Sequence, residues 1–228
     1  MTDELAPDEL EALRCITTPT VANAIETFRV RPRNEGFMSS AIRCIFPELG
    51  TLVGYACTAT IRASERRPDD APRPWDFWEV VQKLPAPRVV VIQDLDYPAV
   101  VGSYWGEVNA NLYRALGCAG VVTDGGVRDL DEVRSLGFHC FASCVLVSHA
   151  YVHLLEVGAP VTVGGLTISP GDLLHADQHG VLTIPKEIAR EVPRAASEVE
   201  QRERPIIDFC KRPDFSPEKL RQLFERGY

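Results

Sequence analysis

The chain has 228 residues, 45% of them hydrophobic and 25% charged, a balance suited to a globular domain large enough to bury its own core. A net charge of −8 excludes a general nucleic-acid binder, which needs basic surface against phosphates, and makes any anionic ligand depend on a local positive site. Seven scattered cysteines with no C-x-x-C pair read as free, mostly buried thiols of a reducing cytosol. The acidic N-terminus lacks a signal-peptide core, and no run reaches the ~20 apolar residues that span a bilayer. The expectation is a cytoplasmic protein with no membrane and no nucleic-acid partner.

Residues 5–30 read as helical, broken at Thr17-Thr18-Pro19-Thr20, with Thr20 as cap of a second helix through Val21, Ala24, Ile25 and Phe28. Residues 50–62 read as a strand and 63–74, charged and holding three prolines, as a loop or arm. Trp75 to Leu84 has helical spacing, with Trp75, Trp78 and Val81 on one face. Strand and helix then alternate: a strand at 88–96 and a helix from Gly106 to Leu116 bearing Val108, Leu112 and Leu116 on one side. A buried strand follows at 119–124, then a short helix from Leu130 to Leu136 and an apolar run at 138–147. That cadence implies parallel strands with helices packed across them. Residues 152–185 run strand after strand between Gly- and Pro-bearing turns, and two helical stretches close the chain, 186–203 and Pro217 to Arg226 behind Ser216. The whole reads as a single domain over 1–228, with its core at about 15–200 and a helical extension at 204–228.

Two segments carry chemistry. In Thr123-Asp124-Gly125-Gly126-Val127-Arg128-Asp129-Leu130-Asp131-Glu132 a buried strand ends in Asp-Gly-Gly and Arg-Asp opens a helix. Sites in open α/β sheets gather beyond the carboxyl ends of strands. The Arg128 guanidinium suits a carboxylate or enolate, and Asp129 offers hard oxygen to Mg²⁺ or Mn²⁺. The plainer reading of the same segment is a turn with an ordinary ion pair at a helix start. The second segment, Gly102 to Asn109, also leaves a strand and opens a helix, and its unpaired N–H groups favour an anion. Neighbouring parallel strands would bring the two turns side by side.

Together these segments resemble the RraA-like family, which contains 4-hydroxy-4-methyl-2-oxoglutarate aldolases, oxaloacetate decarboxylases and regulators of ribonuclease activity. The residues that carry the resemblance are Gly106-Glu107 and Gly117-x-x-Gly120-Val121-Val122-x-Asp124-Gly125-x-x-Arg128-Asp129-x-x-Glu132. Pro170-Gly171-Asp172-x₄-Asp177-x-x-Gly180-Val181, Ile184-Pro185 and Gly54-x-Ala56-x-Thr58 add to it. The resemblance implies an α/β fold of the swivelling β/β/α type, a layered domain with parallel strands, a β-rich C-terminal layer and helical termini. It implies a homotrimer or homohexamer with sites at subunit interfaces, and class II aldolase chemistry on a small 2-oxo acid with a divalent metal, Mg²⁺ or Mn²⁺. By motif, Arg128 would hold the pyruvoyl part, Asp129 the metal, and Gly106, Glu107, Val108 and Asn109 the substrate carboxylate. Glu107 would contact metal-bound water, while Glu132 and Asp124 would orient the residues that touch substrate and metal. The other reading the family allows is a non-catalytic, protein-binding regulator.

Two departures stand out. Cys144-Val145-Leu146-Val147-Ser148-His149 is apolar where the family continues with a Gly/Arg-bearing loop, and Asn23 stands where it often carries Asp. A donor from a neighbouring subunit is sought at 187–203, with Glu191, Glu198 and Glu200 as candidates. His149 and His153 have helical metal spacing but lie where strand signals begin. His175 and His179 are expected at the surface or an interface, Asp172 and Asp177 as organisers of turns, and Cys140 and Cys144 as buried thiols.

Overall fold

The structure, a computed structural model, describes residues 4–225. Helices α1 (Pro7–Arg14) and α2 (Thr18–Phe28) lead into β1 (Arg43–Cys44), β2 (Leu52–Arg62), α3 (Pro74–Gln82) and β3 (Arg88–Asp94). There follow α4 (Glu107–Ala115), β4 (Cys118–Thr123), β5 (Gly126–Val127), α5 (Leu130–Ser135), β6 (His139–Ala142) and β7 (Cys144–Val145). Then come β8 (His153–Val157), β9 (Val161–Val163), β10 (Leu166–Ile168), β11 (Leu173–Asp177), β12 (Gly180–Ile184), α6 (Val192–Cys210) and α7 (Pro217–Glu225).

The main sheet runs β1-β6-β4-β3-β2-β11-β12, with β8 also paired to β2. Its centre is parallel: β2 with β3, β3 with β4, β4 with β6. The flanks, β1, β8 and the β11–β12 hairpin, are antiparallel. The β-α alternation expected at 88–147 is therefore present, and the β-rich segment closes the sheet beyond β2.

Side chains alternate across the central strands, as a period of two requires. Val90 and Ile92 of β3 join Cys57, Ala59 and Ile61 of β2 against α3 and α4, while Val89 and Val91 join Ala56 on the opposite face with Val161, Val163 and Ile168. Strands covered on both faces read as continuous apolar runs, which explains RVVVI. A third core seats α1, α2 and α6 on Val53, Tyr55, Leu173 and Leu182.

Several local expectations need correcting. The cap of α2 is Thr17, whose hydroxyl accepts the Thr20 N–H at 3.4 Å; Pro19 fits inside the first turn because its missing N–H would be unpaired there anyway. Helix α3 buries Phe77 and Val81, not Trp75, which stays 54% exposed. Helix α4 buries Ala110 and Tyr113, and Val108 is 77% exposed; the large ring of Tyr113, 5.1 Å from Trp105, decides which face turns inward. The run at 138–147 is two short strands in different sheets, broken at Ser143. Helix α6 begins after the expected 186 and continues to Cys210, with Pro193 in its first turn and Pro205 inside it. Ser216 does cap α7 through the Lys219 N–H, and Arg226 lies outside the described residues. His175 is wholly buried: its ring pairs with the Leu13 carbonyl and the Thr18 hydroxyl, each at 3.0 Å, pinning the N-terminal helices to β11. His179 pairs with Asp177, which also accepts the Thr18 N–H. Cys140 is buried and Cys144 half-buried, whereas Cys15 and Cys210 are exposed.

Candidate active site

The two strand-to-helix turns lie side by side because β3 and β4 are parallel neighbours. The chain leaves β3, passes Gly102–Trp105 and opens α4 at Glu107. Further along, the same chain leaves β4, makes the two-residue strand β5 and opens α5 at Leu130. Short cross-links bind the turns. Trp105 bridges Val127 in parallel fashion, and the Arg128 N–H donates to the Trp105 carbonyl at 3.0 Å. The buried Ser103 hydroxyl lies 2.7 Å from both the Trp105 and Gly126 carbonyls. On the other side β5 pairs with β7.

Asp129 has φ 54° and ψ 49°, the left-handed region. Asp is among the few residues with a side chain that enter it readily. This turn aims its carboxylate away from its own helix, which receives no side-chain cap. The Oδ2 atom accepts the Glu107 backbone N–H at 2.9 Å and lies 3.7 Å from the Arg128 Nε. Gly106 makes this approach possible: a β-carbon there would sit 2.4 Å from the Asp129 Oδ2 and 3.1 Å from the Arg128 Nε. Arg128 and Asp129 are each about one-third exposed, so the pair faces an opening and is not locked in the core.

The remaining expected residues take different places. Asn109 turns back, its amide donating to the Tyr104 carbonyl at 2.6 Å. Glu107, Val108 and Glu132 are exposed, and among the described residues no hydrogen bond joins the carboxylates of Glu107 or Glu132 to another group. Asp124 does not reach Arg128; its Oδ1 accepts the Asp94 N–H at 2.7 Å. Burial pushes the Asp124 carboxyl up to about 6, with the charge of Asp94 adding and hydrogen bonds from the backbone opposing. Glu191 and Glu198, on and beside α6, pair with Arg194.

Two residues without a role in the sequence reading emerge here. Asp94 is buried under the Gly125 turn; the acidic end of its strand was its one sequence signal. Ser143 donates from its hydroxyl to the Asp124 carbonyl at 2.6 Å and holds the same turn from the far side. Beside it, Arg43, Tyr97, Ser143 and Cys144 line a cavity of about 390 Å³. Another of about 530 Å³ opens away from this region, between α2 and α6, and includes Asn23.

A parallel-centred mixed sheet with paired helix-opening turns at its carboxyl edge defines an α/β protein whose candidate site is a cation–carboxylate pair beside exposed helix N–H groups. The chain belongs to the RraA-like family (Aldolase/RraA), whose profile matches residues 18–183. A relative from Halalkalibacterium halodurans, provisionally named 4-hydroxy-4-methyl-2-oxoglutarate aldolase, is 31% identical over 108 residues, covering 45% of this chain and 51% of that protein. The chain spans about half or less of the curated relatives it matches. Among solved structures, an uncharacterized protein of Pseudomonas syringae pv. tomato superposes with a TM-score of 0.74 at 24% identity, over 96% of this chain and 95% of that one. Streptomyces coelicolor RraAS2, an unusual member of the RNase ES inhibitor RraA family, superposes with a TM-score of 0.69 at 24% identity, over 88% and 97%. These likenesses establish the fold. Among the described residues no helix is long and apolar enough to cross a membrane.

Proposed function

We propose that this chain is a divalent-metal-dependent aldolase that cleaves a 4-hydroxy-2-oxo acid to pyruvate, and that it also decarboxylates oxaloacetate. The observation that carries this reading is the meeting of Arg128 and Asp129 with the N-terminus of α4, tied by the Glu107 N–H to Asp129 bond of 2.9 Å. The name of the H. halodurans relative agrees with it.

Breaking the carbon–carbon bond beside a carbonyl leaves negative charge on the pyruvoyl oxygens. The Arg128 guanidinium stands where it can meet that charge as it develops, and the Val108 and Asn109 N–H groups of the first turn of α4, past the Glu107 N–H that Asp129 takes, favour the substrate carboxylate. Glu107, exposed at the first position of α4, would hold the water that takes the proton from the 4-hydroxyl as that carbon becomes the carbonyl of the second product. Decarboxylation yields the same enolate and needs no such base.

The donor set fits Mg²⁺ or Mn²⁺ in one mode. Among the described residues no group of three or more His, Cys, Asp or Glu side chains is gathered for a metal, which disfavours an all-protein cage. One partly exposed carboxylate, Asp129, suits an ion that keeps most of its waters and shares the rest of its shell with substrate. A bound metal would polarise the substrate carbonyl. Oligomeric assembly with sites at subunit interfaces belongs to the same proposal. It is supported by the apolar rim of Val108, Val145 and Val147, which are 77%, 53% and 97% exposed.

The test is pyruvate release from 4-hydroxy-4-methyl-2-oxoglutarate and from oxaloacetate, with Mg²⁺ or EDTA. Metal-dependent release by wild type, absent in Asp129→Ala, supports the reading. No release from either substrate by folded wild type overturns it and turns attention to the regulator reading.

A further inference from the structure

We infer that Asp94 is a positioning residue whose buried carboxyl, held between Asp96, Asp124 and Gly125, sets where the Arg128–Asp129 turn stands against the Gly106–Glu107 turn. The inference rests on the proposed role of Arg128 and Asp129 as the reacting centre.

Three acids step across the carboxyl edge of the sheet. Asp96 accepts the N–H groups of Ala63 and Ser64 at 2.7 and 2.8 Å and the Ser64 hydroxyl at 2.6 Å, which anchors the end of β2. The Asp96 N–H donates to the Asp94 Oδ1 at 2.9 Å. The Asp94 N–H donates in turn to the Asp124 Oδ1 at 2.7 Å. One chain of bonds thus joins β2, β3 and β4 at the level where both site turns depart.

Asp94 is 2% exposed and its Oδ2 is buried with no hydrogen-bond partner among the described residues. A β-carbon at Gly125 would lie 3.0 Å from that oxygen and 3.1 Å from the Thr123 Oγ1, so the carboxyl packs directly under the turn. An ionised oxygen in such a place is far costlier than a neutral one. The charged groups facing Asp94 are Asp96 and Asp124, with Arg62 of β2 3.9 Å from Asp96; the two acids disfavour a further negative charge. Burial, then the charge of Asp96, move the Asp94 carboxyl above its ordinary range, against the Asp96 N–H that stabilises its anion. Asp94 therefore acts as a buried wedge of fixed shape. Its side chain is sealed from substrate and works through Gly125.

The test reads the Glu107 amide, whose acceptor is Asp129, by hydrogen exchange in NMR spectra of the full chain. Asp129→Ala removes the acceptor and sets the upper limit. Asp94→Ala should speed Glu107 exchange by about 10-fold while the β3 amides stay protected. Asp94→Asn, neutral and of the same shape, should exchange like wild type. Gly125→Ala, which presses on the wedge from above, should also speed it. Wild-type exchange in folded Asp94→Ala overturns the inference, as does Asp94→Asn exchanging as fast as Asp94→Ala. Should Asp94→Ala fail to fold, wild-type exchange in Gly125→Ala overturns it instead. None of these readouts needs enzymatic activity, so a failure of the inference is distinguishable from a failure of the proposed reaction. Where pyruvate release is present, kcat should fall in Asp94→Ala and return in Asp94→Asn.

Discussion

The Asp129 carboxylate accepts its hydrogen bond from Glu107, 22 residues earlier in the chain, and gives none of its capping capacity to the helix it opens. A charge-assisted bond of this kind is stronger than a neutral one. Asp129→Asn should keep the fold, because Asn also enters the left-handed region readily. With the charge gone, metal-dependent turnover should fall about 100-fold or more. Circular dichroism and pyruvate release measured on the same sample check both halves.

Gly106 separates site geometry from stability. In Gly106→Ala the new methyl would stand 2.4 Å from the Asp129 Oδ2, and the partly exposed turn can shift to relieve it. Displacement of about 1 Å at reacting groups costs on the order of 100-fold. The expected result is a fall of roughly 10- to 100-fold in kcat/KM, with a melting temperature within a few degrees of wild type. A large loss of stability with intact kcat/KM would contradict it.

Asp124 makes stability depend on pH. Its carboxyl, ordinarily at 3.8, is pushed up to about 6 by burial, so the fold binds its proton more tightly than the unfolded chain does. The resulting stabilisation is complete below 3.8 and is lost as pH rises through about 6. The loss amounts to roughly 3 kcal/mol. Asp124→Asn keeps an oxygen for the Asp94 N–H and cannot ionise. Its stability relative to wild type should therefore rise between pH 4 and 7 in urea titrations; a difference independent of pH would refute this.

Trp105 anchors the first turn in the core, stacked 5.7 Å from Phe138. Its indole N–H has no partner among the described residues, so a change to Phe abandons no hydrogen bond. Trp105→Phe should cost about 1–2 kcal/mol and Trp105→Ala about 3–5 kcal/mol, measured by chemical denaturation.

Legibility in the sequence follows the range of the forces involved. The β-α alternation and the paired turns were readable because periodicity and glycine placement are local signals. Which face of α4 turns inward was not, because the choice rests on Tyr113 meeting Phe77 of α3, a contact made across the fold. The burial of His175 was hidden for the same reason: its partners lie about 160 positions away. Arg128, Asp129 and Gly106 could be singled out as a candidate site from residue type and position. Their cross-link could not, because a left-handed aspartate leaves no mark in composition. Asp94 gave no clue beyond an acidic strand end, since burial is a property of the assembled sheet.

The two-residue pairing of β5 with β7 has an evolutionary consequence. Residues 146–151 are tied to both turns, the Leu146 N–H donating to the Val127 carbonyl at 2.9 Å and the Ser103 N–H to the Ser148 carbonyl at 3.0 Å, while the Arg128 N–H is tethered to Trp105. A lineage that rewrites this loop must keep those two backbone contacts, whereas the outward side chain of Val147, 97% exposed, can change in polarity without touching them. The surface chemistry of the rim can thus drift while the backbone frame that seats Arg128 stays fixed.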